Sequence, residues 1–222
     1  MMVATLTDST AEREAMVERH LKRRGIKEAH IVDAFLSVPR EAFVSDEYAH
    51  LAYGDHPLPI EANQTISQPY IVALTIQAAG IKPGDKVLEV GAGSGYAAAV
   101  ISRIARKVIA IERQHELVEV ARERLERLGY DNVEIVEGDG TKGCAEHAPF
   151  DAIVAAASGS HVPKAFIEQL SEGGRIVMPV GDPGWVQELV KITKKPDGTV
   201  ERENLGGVRF VPLIGEEGWK DA

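Results

Sequence analysis

One segment limits the folds open to this chain more than any other: Val87-Leu88-Glu89-Val90-Gly91-Ala92-Gly93-Ser94-Gly95-Tyr96, an apolar run that passes through closely spaced glycines into a helical pattern. A short, largely apolar run reads as a strand buried on both faces. Backbone without Cβ lets the turn tighten and a ligand approach the chain, and the helix that follows presents unpaired N–H groups at its start. A nucleotide-like ligand is therefore expected at this turn. The spacing is G-x-G-x-G, with Tyr96 where the dinucleotide fingerprint G-x-G-x-x-G calls for its third glycine, which disfavours NAD without excluding it. A glycine turn that only allows close strand–helix packing is the plainer alternative.

The rest of the chain repeats this strand–helix alternation. Apolar, β-branched runs at 86–90, 108–111, 133–136, 152–155 and 175–179 predict strands, and residues 96–104, 115–128 and 162–170 predict helices between them. Such alternation implies parallel βαβ units with helices on both faces of one sheet. The tail differs: residues 186–193, the turn signal Pro196-Asp197-Gly198-Thr199 and the run 208–213 predict an antiparallel ending. Upstream, Ser9 and Glu12 have capping-box spacing before Met16, Val17 and Leu21, so a helix is predicted over 10–24, stopping at Gly25. A second helix carries Ile31, Val32, Phe35 and Val38 and ends at Pro39. Between Phe43 and Pro69 periodicity disappears, and an irregular stretch of that length within a domain is usually functional or disordered.

Two carboxylates accompany the glycine turn. Glu112 ends the second strand about 20 residues beyond Gly91, where such a residue accepts hydrogen bonds from ribose hydroxyls. Asp139, in Gly138-Asp139-Gly140, follows the third strand, where a backbone N–H and a carboxylate reach an adenine edge. Carboxyl ends of parallel strands are where open α/β sheets bind ligands.

Composition narrows the classes further. The 222 residues are 44% hydrophobic and 27% charged, enough for one domain with an appendage and a sizeable core. A net charge of −9 argues against affinity built on nucleic-acid phosphates. No apolar run approaches the ~18 residues of a membrane span, and the first residues lack a basic-then-apolar leader, so a soluble, cytoplasmic protein is expected. Cys144 stands alone and reads as inert. His50 and His56 lack a third ligand of suitable spacing, so no metal is expected.

With these residues in view, the chain resembles the class I S-adenosylmethionine methyltransferases and, within them, the protein-L-isoaspartate O-methyltransferase family. The resemblance runs from about Leu21 to Ile214. It rests on LKRRGI (21–26), SVPREAFV (37–44), QTISQPYIVA (64–73), VLEVGAGSGY (87–96), GDG (138–140), PFDAIV (149–154), GGRIVMPVG (173–181) and VRFVPLIG (208–215), in the family's order. QTISQP is the most specific of these. The resemblance implies a Rossmann-like α/β sheet, mostly parallel with an antiparallel C-terminal ending, in a single domain over 1–222: a helical and irregular extension at 1–80 packed on a cofactor-binding core at 81–222. It implies S-adenosylmethionine as cofactor, with Gly91, Gly93 and Gly95 approaching its amino-acid portion, Glu89 orienting the methionine end, Glu112 holding the ribose, and Asp139 with Gly140 meeting the adenine. Ser67 matches the active-site serine, and Thr65, Ile66, Gln68 and Val211 fall among substrate contacts. A monomer acting on isoaspartyl peptides and flexible protein segments follows from the same resemblance. The chain departs from the family at Glu61 and Asn63, where glycines are usual, and at Ala156, where threonine is usual. Asn63 tolerates a left-handed backbone at modest cost and Glu61 does so poorly, which bears on the shape of the loop entering QTISQP and on peptide preference.

The chemistry suits QTISQP, which holds no His, Lys, Asp or Glu. An acceptor carboxylate with a pKa near ~3.9 is already ionised at neutral pH and needs no general base. The site must position it and exclude water, and Ser67 reads as an orienting donor rather than a nucleophile. The alternative is that Ser67 and Thr65 cap the helix starting near Pro69. Three rival functions remain open on the sequence: an NAD-dependent oxidoreductase, a methyltransferase for a small-molecule or nucleic-acid acceptor, and an adenosyl-binding protein without activity.

Overall fold

The glycine turn closes an inner strand of a seven-stranded sheet. The structure, a computed structural model, describes residues 9–220; the opening residues from which the absence of a leader is read lie mostly outside it. Helix α1 (Thr10–Met16) continues through a π turn (Val17–Leu21) and a 3-10 turn (Lys22–Arg24), and it stops at Gly25 with φ +99°. The π turn brings Met16, Val17 and Leu21 all into the core. Ser9 makes no side-chain cap, contrary to its spacing. Helix α2 (Ala29–Ser37) buries Ile31, Val32, Ala34 and Phe35 and ends before Pro39, as predicted.

The aperiodic stretch is ordered by short 3-10 turns (Arg40–Phe43, Ala49–Leu51, Glu61–Asn63). A small antiparallel pair, β1 (Leu58–Pro59) and β2 (Thr65–Ile66), joins Leu58 to Ile66. Helix α3 (Pro69–Ala79) follows, with proline in its first turn and Gly80 in the left-handed conformation at its end.

Then come β3 (Lys86–Val90), α4 (Tyr96–Ser102), β4 (Lys107–Glu112), α5 (His115–Arg127), β5 (Val133–Glu137), β6 (Phe150–Ala155), α6 (Lys164–Glu168), β7 (Leu170–Val180), β8 (Gln187–Lys194) and β9 (Val200–Val208). The sheet order is β5-β4-β3-β6-β7-β8-β9. Strands β3 to β7 are parallel, and β8 and β9 pair antiparallel. The antiparallel ending is therefore present, but its last strand is β9 and not 208–213. Beyond Val208 the chain leaves the ladder and only touches it again where Pro212 bridges Ser158. Strand β9 is the sheet edge, almost wholly exposed and rich in charge. Charges of this kind protect an edge from pairing with other chains.

Alternate residues of each strand enter two apolar clusters. Val87, Val108, Ala152 and Val177 face the cluster that also holds Met16, Phe35, Phe43 and Ile76 from residues 1–80. Leu88, Val90, Ile109, Ile153 and Ile176 face the opposite one, closed by Phe166 and Leu170. Glu89, in register with Val87, thus points at the face covered by the N-terminal helices.

Candidate active site

Strands β3 and β6 are neighbours, yet after β3 the chain moves to β4 and β5 on one side and after β6 to β7 on the other. Their carboxyl-end loops diverge and leave a crevice, the usual ligand position in such sheets. Gly91, with φ +88°, leaves β3 there, and a Cβ on it would stand 3.7 Å from the Cβ of Ala156 beyond β6. The crevice opens into a cavity of about 590 Å³ lined by Gly91, Gly93, Glu112 and Gly140, by Gln64 and Thr65 of the small hairpin, and by Val211–Ile214, Trp219 and Lys220.

Glu112 is 7% exposed. Its Oε2 accepts from Gly93 N at 3.0 Å, and its Oε1 from Arg113 N at 2.8 Å and Gln114 N at 2.9 Å. Three backbone donors fix the carboxylate at the cavity wall, and Oε2, which takes only one of them, keeps acceptor capacity for a ligand. Gly140 forms the floor: a Cβ there would lie 2.6 Å from Val90 Cγ1. Gly95 serves packing instead. It is the N-cap of α4 with φ +87°, and a Cβ on it would come within 3.4 Å of Ala121 and Leu125 on α5.

Asp139 lies beside this cavity, in an adjoining one of about 450 Å³. Its Oδ1 accepts from Thr141 N and Thr141 Oγ1 at 2.9 and 2.7 Å, and its Oδ2 from Glu216 N at 2.8 Å. Partial burial raises its pKa, but those hydrogen bonds and the Lys142 charge outweigh it and hold the carboxyl below its usual range. Asp139 thereby ties the C-terminal segment down.

Glu89 is 2% exposed. Burial, then the charge of Glu112, push its carboxyl well above the usual range, against one backbone hydrogen bond from Ala98. Its Oε2 has no hydrogen-bond partner among the described residues, and the residue borders a small cavity of about 40 Å³ together with Ser67, Ile71, Thr75, Ala156 and Phe210.

On the outer side of Ser67 runs a groove of about 670 Å³, lined by Arg24, Pro57, Thr65, Ser67, Gln68, Ile71, Ala156, Val186, Phe210 and Val211. It meets the first cavity at Thr65, Ala156 and Val211. Ile66 lines neither; it is 4% exposed and faces the core. The start of α3 is served by Asp55, whose Oδ1 accepts from Tyr70 N at 3.2 Å, while Gln68 is the N-cap and makes no side-chain capping bond. Asp55 Oδ2 also accepts from Gln68 Nε2 and Arg24 Nη1, each at 2.8 Å, and the Arg24 guanidinium stacks 3.3 Å from the Tyr70 ring centroid. Asp55 and Arg24 escaped the sequence reading: the first lies in the aperiodic stretch, and the second reads as a helix-closing cation.

The loop entering this segment keeps Glu61 out of the left-handed region. Left-handed φ falls on Ala62 (+53°) and Asn63 (+55°), not on Glu61. Glu61 instead accepts from Arg124 Nη2 and Nη1 of α5 at 2.7 and 3.3 Å, a largely buried pair.

A family model described as protein-L-isoaspartate(D-aspartate) O-methyltransferase matches residues 11–218. The chain belongs to that family. It is 51% identical over 219 residues to protein-L-isoaspartate O-methyltransferase 2 of Pelobacter propionicus, covering 99% of this chain and 97% of that one. It is 52% identical over 214 residues to the Methylorubrum extorquens protein-L-isoaspartate O-methyltransferase, covering 96% and 93%. Among solved structures, a protein-L-isoaspartate O-methyltransferase superposes with a TM-score of 0.84 at 34% identity, over 92% of this chain and 66% of that longer one. A Plasmodium falciparum structure titled as the same enzyme, in complex with S-adenosyl-L-homocysteine, superposes with a TM-score of 0.79 at 29% identity, over 91% and 98%.

Proposed function

We propose that this protein transfers a methyl group from S-adenosylmethionine to the free α-carboxylate of L-isoaspartyl residues in damaged proteins and peptides. The observation that carries this reading is the meeting of two cavities at Thr65, Ala156 and Val211: one glycine-floored and edged by Glu112, the other an open groove beside Ser67.

The residues present fit an adenosyl cofactor. Gly91 and Gly140 form a cradle in which a Cβ at position 140 would collide with Val90, Glu112 is held for hydroxyl donors, and Glu89 keeps an orphaned carboxylate oxygen for the amino-acid end. Glu89, Gly91 and Gly93 would hold the methionine portion, Glu112 the ribose, and Gly140 with the Asp139 turn the adenine. When bound, the cofactor supplies an electrophilic sulfonium methyl.

This chain's residues position the acceptor. The Ser67 hydroxyl donates a hydrogen bond to one carboxylate oxygen and aims the other toward the junction, with Thr65 and Gln68 beside it. Ile71, Phe210 and Val211 line the groove with apolar surface and keep water from an anion and a cation that must meet. No general base is required, since the acceptor is ionised at neutral pH. Methylation makes the carboxyl a better leaving group, so a succinimide forms and opens to a normal aspartyl link.

An open groove suits flexible segments of many sequences, and a chain of charge −9 offers nucleic-acid phosphates little. No helix among the described residues is long and apolar enough to cross a membrane. The reading places the enzyme in the cytoplasm, acting as a monomer. The test is methyl transfer from labelled S-adenosylmethionine to an isoaspartyl peptide and to its aspartyl twin. Transfer to the first alone is expected; transfer to neither overturns the reading.

A further inference from the structure

Arg40 has no exposed surface. Its Nε donates to the carbonyl of Ala52 and its Nη2 to the carbonyl of Ser67, each at 2.8 Å. The guanidinium stands 4.7 Å from the Tyr96 ring centroid, and its Nη1 has no hydrogen-bond partner among the described residues. The groups facing it are these two carbonyls, the phenols of Tyr96 and Tyr53, and Asp55 farther off, whose own carboxylate is engaged by Arg24 and Gln68. A guanidinium stays charged in proteins, and burying one without a close counter-ion is costly.

The Ser67–Gln68 peptide shows what this charge serves. The bond is trans, since the cis bond recorded lies at Ala148–Pro149. In a trans peptide the C=O and the N–H point in opposite directions. The Ser67 carbonyl points inward at Arg40, so the Gln68 N–H points outward, away from the buried guanidinium, on the segment that lines the groove. No backbone acceptor takes it among the described residues.

We propose that Arg40 is a positioning residue whose charge acts through this peptide: it clamps the Ser67 carbonyl and polarises the Gln68 N–H, which with the Ser67 hydroxyl receives the acceptor carboxylate. Hydrogen bonds in series polarise one another, and a donor backed by a cation binds an anion more strongly than a neutral one. The arrangement favours the ionised substrate over its neutral methyl ester, and so assists product release. Because negative charge on the acceptor is lost along the reaction, the effect falls mainly on substrate binding. This inference rests on the function proposed above.

The test compares Gln68→Pro with Gln68→Ala. Both remove the side chain, but only proline removes the N–H, and the native φ of −51° already suits it. The expected result is a KM for isoaspartyl peptide at least tenfold higher in Gln68→Pro than in Gln68→Ala, with kcat changed less and adenosylhomocysteine affinity by calorimetry within twofold. Arg40→Met is expected to raise KM at least tenfold, with part of the loss restored in Arg40→Lys, which keeps the charge. Equal KM values in the two Gln68 variants overturn the inference, as does a loss in the Arg40 variants confined to thermal stability and kcat. Wild-type protein is the control: if it leaves the isoaspartyl peptide unmethylated, the functional reading itself fails, whereas a methylating wild type with equal Gln68 variants sinks this inference alone.

Discussion

Ser67 sits where the groove and the small Glu89 cavity adjoin, with its carbonyl held by Arg40 and its hydroxyl, under the proposed function, offered to the acceptor. Replacing it by alanine should leave cofactor affinity within about twofold and slow methyl transfer at least about tenfold, roughly 1.4 kcal/mol of barrier. Single-turnover kinetics with an isoaspartyl peptide, read beside calorimetric titration of adenosylhomocysteine, separate the two effects; unchanged transfer would remove Ser67 from the site. The places of Gly91 and Glu112 at the carboxyl edge of the sheet were legible in the sequence because their signals are local: a turn whose positive φ favours glycine, and a carboxylate at a strand end. Arg40, Asp55 and Arg24 were not, because what they do depends on contacts between segments far apart in the chain. A buried arginine carries no spacing signal when its partners are two backbone carbonyls.

At the scale of elements, the hairpin of β1 and β2 delivers Gln64 and Thr65 to the cofactor cavity and Ser67 to the groove. It reaches across to α5 through Glu61 and Arg124. Its turn is strained at Ala62, whose φ of +53° costs a residue with a Cβ about 1–2 kcal/mol, against the ~0.5–1 kcal/mol of extra chain entropy that glycine loses. Ala62→Gly should therefore stabilise the fold by roughly 0.5–1 kcal/mol and raise the melting temperature by about 1–3 °C, as calorimetry would show; a lower melting temperature would mean that Ala62 packing outweighs the strain. Which residue takes the strain was not readable, since Glu61 is engaged by Arg124 of a distant element, a contact the sequence does not display. Strand β3 matched its predicted limits, because a strand buried on both faces is largely apolar, here at Val87, Leu88 and Val90. Strand β9 was missed for the opposite reason: with most of its surface in solvent, Glu201, Arg202 and Glu203 look like a loop, although they pair with Lys195, Glu188 and Lys191.

For the whole molecule, the perturbed carboxyls of Asp139 and Glu89 pull stability in opposite directions with pH. Asp139 is held below its ordinary value of 3.8, so the folded state binds its proton less readily than the unfolded one. Its contribution is present above that value and is lost as pH falls through the lowered one. Asp139→Asn should melt earlier than wild type at neutral pH, with the gap closing in acid below about pH 3.8. Its signature should be faster amide exchange near Glu216, the residue Asp139 holds. A gap that stayed constant into acid would assign the loss to packing and not to the charge.

Glu89 works the other way. Burial, aided by Glu112, raises its pKa well above 4.5, so the folded protein keeps a proton that the unfolded chain gives up. The favourable term is full below pH 4.5 and fades as pH rises toward the folded value. Glu89→Gln keeps the shape of the neutral acid and has no proton to lose, so its melting temperature should match wild type near pH 4.5 and exceed it increasingly toward neutrality. If Glu89 has the role proposed for it, the same variant should bind adenosylhomocysteine more weakly, because it replaces the oxygen assigned to the cofactor's ammonium. Stability gained at a binding residue commonly costs function in this way. Thermal melts across that pH range test the first half and calorimetric titration the second; a variant no more stable than wild type at neutral pH would show that Glu89 finds a partner there and is not stored as a buried acid.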